Sequence, residues 1–430
     1  MRYQNFRLWV AGNLFASSAI WMQRVAMDWL VLTELTEHSG TQVGIVTALQ
    51  FLPVLLFTAW AGVLADRLDR RRLVQSCQAV VALVALIVGA LVVSGYAQLW
   101  QIYVLAFVSG VASAIEMPAR QAFVSELVPQ ESVPNAVALN STAFNTARLI
   151  GPAMAGFVIQ WVGTGWVFLA NALLLMAPIA ALAFIRTEEL LVRKRLPRAK
   201  GQFREGVRYV RHRPDIVLVL VVVTVIGGLG LNFQLTSAMM ATEVFGKEAG
   251  EYGMLSSVLA IGSLSGSLVA ARRQRPRLRT IIGAAGAFGL AELALGLAPS
   301  YWIFAACAIP TGFATITMLN SANTYIQMST PEAFRGRVLA LYSAIFLGTT
   351  PVGSPFIGWV GEAFGARWSL LVGAIACIAI AVAGAAWAAH YWRLRVVWAG
   401  GRLEIVDAQG RTRAECAGQA HHIDSVAGSE

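Results

Sequence analysis

Residues Gly62-Val63-Leu64-Ala65-Asp66-Arg67-Leu68-Asp69-Arg70-Arg71-Arg72 carry six charges within seven positions. They separate two runs, 42–65 and 73–94, that hold almost none. About 20 apolar residues suffice to cross the hydrocarbon of a bilayer as a helix. Each run is long enough, so the stretch reads as a short polar turn between two membrane helices. Gly62 permits close approach of two helices. Asp66 and Arg70 are i, i+4 neighbours at the membrane edge and can pair. A membrane anchor alone would explain the arginines but not Gly62 and Asp66.

The pattern continues along the chain. Of 430 residues, 57% are hydrophobic and 13% charged, against roughly 25% charged in soluble domains. Spans are expected at 8–33, 42–65, 73–94, 98–118, 135–161, 164–185, 216–241, 251–271, 280–298, 301–324, 337–360 and 367–390. The first run is too long for the apolar region of a cleavable signal, about 7–15 residues, and reads as a retained helix. The chain is therefore expected to be an all-α membrane protein with twelve transmembrane helices.

Orientation follows from the basic residues. If the N-terminus is inside, 29 of the 33 Lys and Arg fall on inner segments, with Arg337 taken at the inner edge of its span. Lys247 and Arg367 fall outside, and Arg24 and Arg148 lie within spans. This asymmetry places both termini in the cytoplasm. It also accounts for the net charge of +10 through loops facing anionic lipid, so a nucleic-acid partner is not expected. Thirty Arg against three Lys, with abundant Ala, Gly and Val, suggests a GC-rich bacterial genome and hence a bacterial inner membrane.

The chain repeats itself. At an offset of 202, Gly110, Pro129, Ala138, Leu139, Ser141, Phe144, Gly151, Gly156 and Gly163 match Gly312, Pro331, Ala340, Leu341, Ser343, Phe346, Gly353, Gly358 and Gly365. At 200, Gly62, Leu64 and Leu68 match Gly262, Leu264 and Leu268. A constant offset carrying Gly, Pro, Ser and Phe implies two parallel, pseudo-symmetric six-helix bundles with a substrate path between them. The expected divisions are 1–185 for the first bundle, 186–215 for a cytoplasmic linker, 216–391 for the second bundle and 392–430 for a cytoplasmic tail. In the linker, Phe203, Val207 and Val210 share one face, as in an amphipathic helix lying on the inner membrane surface. A plain basic tether fits equally well. A small hairpin is expected within Arg395–Arg411.

The loop Gly62–Arg72 resembles the signature between helices 2 and 3 of the major facilitator superfamily, with Asp69 where a Gly is usual. That resemblance implies a gating role for Gly62, Asp66, Arg67, Arg70, Arg71 and Arg72. Arg148-Leu-Ile-Gly151-Pro152-Ala-Met-Ala-Gly156 resembles the core of the family's exporter signature in helix 5, with Ala155 in place of a Gly. The upstream glycines of that signature are Ala138 and Ala147 here. Trp21–Val31, Met117–Gln121, Glu126–Pro129 and Arg335–Val338 resemble the branch that includes enterobactin exporters and macrolide efflux pumps. The resemblance implies the major facilitator fold, export and alternating access, over residues up to about 392.

Charge within the membrane is costly and marks function by default. Asp28 and Glu116 are the expected proton-coupling carboxylates, with Arg24 and Arg148 as partners. Arg24 and Asp28 are i, i+4 on the first span. Glu116–Arg148 could equally be a fixed packing pair. Glu292 lies toward the outer end of the ninth span. The amides Asn13, Gln23, Asn140, Asn145, Asn232, Gln234, Asn320 and Asn323 are intramembrane but cannot be ranked from sequence.

No phosphate loop, metal motif or catalytic constellation stands out. Cys77, Cys307, Cys377 and Cys416 fit neither a metal site nor a disulfide framework, and the pair His421–His422 reads as incidental. No cofactor and no enzymatic activity are expected. The expected protein is a monomeric secondary transporter, coupled to protons, that exports an amphiphilic small molecule such as a drug, macrolide or siderophore. An importer or lipid flippase on the same fold, or a non-transporting membrane scaffold or sensor, remain alternatives.

Overall fold

The computed structural model describes residues 3–191, 202–271, 276–391, 395–399 and 402–406. Nearly all of these are helical. Helix α1 (Gln4–Trp29) runs on into a π-helical turn, Leu30–Leu35. Helix α2 (Gly40–Arg67) starts on Ser39, whose hydroxyl accepts from the Gln42 amide. Helix α3 (Arg70–Val93) starts on Asp69, whose carboxylate accepts from the Arg72 amide at 3.1 Å. Asp69, at a position where the resemblance leads one to expect Gly, thus serves as an N-cap.

Helix α4 (Leu99–Val124) begins with a capping box of Gln98 and Gln101, and it runs past Pro118 to Val124. The expected end at 118 was too early. A membrane helix tolerates an internal proline when its freed backbone groups find other partners. Helices α5 (Val133–Val162) and α6 (Thr164–Ala183) are separated by Gly163 alone, at φ +94°.

Helix α7 (Gln202–Arg211) follows. The seventh expected span is broken. It comprises α8 (Pro214–Val225), a π-helical turn Ile226–Gly230, a non-helical step at Leu231–Asn232, α9 (Phe233–Met239) and a second π-helical turn, Met240–Val244. Gly227, Gly228 and Gly230 make that stretch the weakest helix former in the span. Then come α10 (Ala249–Ala271), α11 (Leu278–Gly296), α12 (Tyr301–Ser329), α13 (Glu332–Phe364) and α14 (Ala366–Tyr391). Strands β1 (Arg395–Ala399) and β2 (Arg402–Val406) pair antiparallel, in the expected hairpin.

Residues Met1–Ile378 form one compact unit and Ala379–Glu430 another. Cys416, His421 and His422 lie outside the described residues, as does most of the expected tail. Cys77, Cys307 and Cys377 are free thiols.

Ten stretches among the described residues are long and apolar enough to cross a membrane. The two long helices outside that set are α1 and α5. Both are diluted by polar side chains: Asn13, Ser17, Gln23, Arg24 and Asp28 on α1, and Asn140, Ser141, Thr142, Asn145, Thr146 and Arg148 on α5. Of these side chains Arg24, Asp28 and Arg148 line the cavity described below.

The arginine-rich turn 67–72 meets the ends of α4 and α6 at one end of the first unit. A large core lies toward the opposite end and draws on both sequence halves. It contains Met27, Leu30, Val43, Val46, Ala155 and Ile159 with Met239, Tyr252, Phe304, Ile357 and Leu370. A separate core at the arginine-rich end comes from the first half alone, including Phe6, Trp9, Val74, Phe123 and Leu127.

The internal repeat has a structural counterpart in its glycines. Gly163 and Gly365 both end a helix at positive φ, +94° and +99°. Gly110 on α4 packs against the Gln50 carbonyl of α2, and Gly312 on α12 packs against the Leu259 carbonyl of α10. A side chain at either position would collide with backbone.

Helix α7 lies within the expected linker, and its contacts are with protein. Val210 is buried, and the helix lies against the start of α13. Tyr209 stacks on Phe334 at 4.8 Å, Glu205 pairs with Arg337 at 2.6 Å, and Gly206 abuts the Arg337 Cβ. The Phe203 side chain lies outside what the structure describes.

Candidate functional site

A cavity of about 420 Å³ lies in the first unit and is lined from both sequence halves. The first half contributes Trp21, Arg24 and Asp28 from α1, Thr47, Gln50 and Phe51 from α2, and Phe144, Arg148 and Pro152 from α5. The second half contributes the broken stretch Gly227–Leu235, Glu292 from α11, Thr311 and Thr315 from α12, and Phe346, Thr350 and Ser354 from α13. The wall is mostly aromatic and aliphatic, with a few convergent polar groups, as in small-molecule sites generally.

The non-helical step at Asn232 is held by its own side chain. Asn232 Nδ2 donates to the Gly228 carbonyl at 2.9 Å, and Ser354 Oγ donates to Asn232 Oδ1 at 2.7 Å. These bonds satisfy a backbone group freed by the break and tie it to α13. Irregular backbone within a membrane is tolerated where it lines a cavity. Of the eight amides named from the sequence, Asn232 and Gln234 reach this cavity, and Gln50, which was not among them, does so too.

Arg24, Asp28 and Arg148 line the cavity together, but their partners differ from expectation. Asp28, 7% exposed, accepts a hydrogen bond from the Tyr252 hydroxyl of α10 at 3.2 Å. Among the described residues no ion pair joins it to Arg24. The Arg24 guanidinium lies instead over the rings of Trp21 and Phe51, at 5.2 and 5.1 Å. Arg148 lies over Trp21 at 5.4 Å. The i, i+4 spacing brings Arg24 and Asp28 to the same side of α1, yet two aromatic rings capture the arginine and a tyrosine captures the acid.

Glu116 does not pair with Arg148. It pairs with Arg120 one turn along α4 at 3.5 Å and accepts from Gln78 Nε2 at 3.1 Å. Arg120 also donates to Asn13, which donates to Asn140 at 2.7 Å. This network borders a smaller cavity of about 120 Å³, which shares Arg24, Gln50 and Phe51 with the main one. Glu116 is thus one chamber removed from Asp28.

Glu292 stands outside the expected coupling set, yet the structure places it in the wall of the main cavity. It is 2% exposed, lines the main cavity, and its Oε2 has no hydrogen-bond partner among the described residues. The only signal in the sequence was an acid within an apolar run, and Glu116 shares that signal.

The Gly62–Arg72 loop forms a tight local network. Arg70 pairs with Glu126 at the end of α4 at 2.5 Å and with Asp66 at 3.5 Å, and it donates to the Ala65 carbonyl. Arg71 donates to the carbonyls of Ala183, the last residue of α6, and Ile185 just beyond it. The Glu126 contribution was not expected, although Glu126 lies in one of the stretches that carry the family resemblance.

The helix 5 motif sits at a helix crossing. Gly151 abuts Trp21 and the Ser18 carbonyl of α1, and Gly156 abuts the Ala249 carbonyl and Gly253 of α10. Gly253 in turn faces the Pro152 carbonyl. On the other side of the cavity, Gly44 faces Ser354 and Pro355, and Gly358 faces the Gly40 carbonyl. Ser39 Oγ and the Thr41 amide donate to Glu362 at 2.8 and 3.1 Å, and Gln160 donates to Glu248 at 2.7 Å. The two halves therefore close on each other at the end opposite the arginines.

Residues 1–397 match the family described as transmembrane secretion effectors. The chain is 26% identical to the staphyloferrin A transporter of Staphylococcus aureus (strain NCTC 8325 / PS 47), over 80% of this chain and 86% of that one. It is 22% identical to macrolide efflux protein A of Streptococcus pyogenes, over 88% and 96%. It is 25% identical to the enterobactin exporter EntS of Escherichia coli O1:K1 / APEC, over 77% and 79%. Among solved structures, a bacterial homolog of the human lysosomal transporter Spinster, inward-facing and occupied, superposes with a TM-score of 0.71 at 14% identity, covering 90% of this chain and 97% of that one. The charged cavity, the broken seventh span and the arginine loop thus sit on a known transporter fold, and the chain belongs to the transmembrane secretion effector family of major facilitator transporters, a multi-pass membrane protein rather than an enzyme.

Proposed function

We propose that this chain is a proton-coupled exporter of an amphiphilic small molecule in the bacterial inner membrane, acting as a monomer with both termini cytoplasmic. The observation that carries the reading is the cavity shared by the two sequence halves, with Asp28, Arg24, Arg148 and Glu292 in its wall beneath a seal at one end. With α1 and α5 added to the ten apolar stretches, the count of spans is twelve. The matched glycines of the repeat support two bundles, 1–185 and 216–391, joined by a linker over 186–215 and followed by a tail from 392. Alternating access then consists of opening the sealed end while the arginine-rich end closes.

A carboxylate removed from water is costly as an anion, and proton uptake removes that cost. Asp28 and Glu116 are the proposed carriers. Arg24 acts on Asp28 through space, and Arg120 replaces Arg148 as the partner of Glu116. Glu292 joins them as a carboxylate facing the cavity. Gly62, Asp66, Arg67, Arg70, Arg71 and Arg72 form the proposed gate at the arginine-rich end. Gly151, Pro152 and Gly156 form the crossing on which the sealed end opens. The export direction draws on the relatives named for efflux and export.

The test is cargo accumulation in energised cells with and without a protonophore. Collapse of the gradient should raise accumulation to the level of cells lacking the chain. Unchanged efflux would remove proton coupling. Normal transport by both Asp28→Asn and Glu116→Gln would remove these carriers.

A further inference from the structure

The two arginines of the cavity make no direct contact with a carboxylate among the described residues. Arg24 sits between Trp21 and Phe51, and Arg148 shares the Trp21 ring. Among the described residues neither guanidinium forms an ion pair. Asp28, one turn from Arg24, is engaged by Tyr252. Glu292, the other carboxylate of the lining, stands on α11 against Gly373. The lining thus holds two acids and two guanidinium groups, yet among the described residues neither acid pairs with a guanidinium, and both guanidinium groups sit on the one Trp21 ring.

A ring face attracts an arginine more weakly than a directly bonded oxyanion does. Two guanidinium groups on one ring also repel each other. An oxyanion bridging them would give each the direct ion-pair partner it lacks, through charge-assisted hydrogen bonds for which the planar guanidinium fork is suited. The rest of the lining, with Phe144, Phe233, Phe288 and Phe346, offers apolar and aromatic surface for a body attached to that anion.

We propose that Arg24 and Arg148, set on the face of Trp21, form an anion subsite that takes an acidic oxygen group of the cargo. The inference rests on the transporter reading and adds the charge of the cargo to it. The cargo is then an acidic amphiphile, such as a carboxylate, phenolate or sulfonate on an apolar frame, rather than a cationic drug.

The experiment uses the full chain in lipid nanodiscs and two dyes on one xanthene frame with opposite charge: fluorescein, an anion, and tetramethylrhodamine methyl ester, a cation. Fluorescence polarisation is titrated for each. Fluorescein should bind at least about tenfold more tightly than the rhodamine. Arg24→Gln and Arg148→Gln should each weaken fluorescein by about tenfold or more, which is 1.4 kcal/mol or more, and leave the rhodamine unchanged. Arg24→Lys and Arg148→Lys, which keep the charge, should lose less than the Gln variants. Melting curves establish that each variant is folded. If a Gln variant does not fold, the wild-type preference between dyes decides. Preference for the rhodamine, no saturable fluorescein binding by the wild type, or folded Gln variants with unchanged fluorescein affinity would each overturn the proposal. Binding is read without a gradient, so failure of proton coupling leaves this result standing, and the reverse also holds.

Discussion

The Tyr252 hydroxyl of α10 donates to the Asp28 carboxylate of α1 at 3.2 Å, joining residues 224 positions apart across the two sequence halves. The ring of Tyr252 also stacks on Trp29 at 6.0 Å. Both side chains are almost fully buried, Tyr252 at 0% and Asp28 at 7% exposure. Tyr252→Phe removes the donor and keeps the ring. Leaving a buried acceptor unsatisfied costs about 1–3 kcal/mol, so the variant should melt at a lower temperature than the wild type. Thermal unfolding in detergent checks this, and an unchanged melting temperature would show that the bond contributes nothing net.

Arg70 makes two ion pairs of different expected strength. The bond to Glu126 is short and both side chains are close to 10% exposed, whereas Asp66 is 39% exposed. A double-mutant cycle on Arg70→Ala and Glu126→Ala should give a coupling of about 1–3 kcal/mol. The same cycle with Asp66→Ala should give less than about 1 kcal/mol, the range of exposed pairs.

Gly156 and Gly358 each face a backbone carbonyl across the sealed end. Leucine at either position cannot be accommodated without separating α5 from α10 or α2 from α13. Gly156→Leu and Gly358→Leu should insert normally yet lose at least about tenfold in transport, with a longer distance between labels at Gln160 and Glu248. Wild-type distances in both variants would show that the crossing yields elsewhere.

Glu292 presents the opposite balance of stability and function. One of its oxygens is buried without a partner, so removing the charge relieves an electrostatic cost. Glu292→Gln should melt at or above the wild-type temperature while transport falls. Parallel melting and flux assays separate this from simple damage, which would lower both.

Much of the fold was legible in the sequence because lipid leaves few choices: long apolar runs, short basic turns and a constant repeat offset. The positive-φ glycines 163 and 365 were visible as repeat partners before their conformation was known. The hairpin at Ala399 was legible from its glycines. The break at Asn232 was not, because an apolar run with three glycines reads the same whether continuous or interrupted. The site was legible only as a set of charges. Which acid meets which base depends on helix rotation, and spacing along one helix places Arg24 beside Asp28 without revealing that Trp21, Phe51 and Tyr252 would intercept them. Glu116 found Arg120, its neighbour one turn away, before the distant Arg148. Of the polar side chains on α1 and α5, only Arg24, Asp28 and Arg148 line the main cavity, and they were legible as charges within spans.

Alternating access is the central claim, and paired distances test it most directly. Spin labels at Gln160 and Glu248 report the end that is closed here, and labels at Leu68 and Glu332 report the arginine-rich end. Distances are measured in nanodiscs at several pH values. The account predicts reciprocal change: as the first distance lengthens, the second shortens, with both populations present at intermediate pH. Two distances that stay fixed, or that lengthen together, would contradict it.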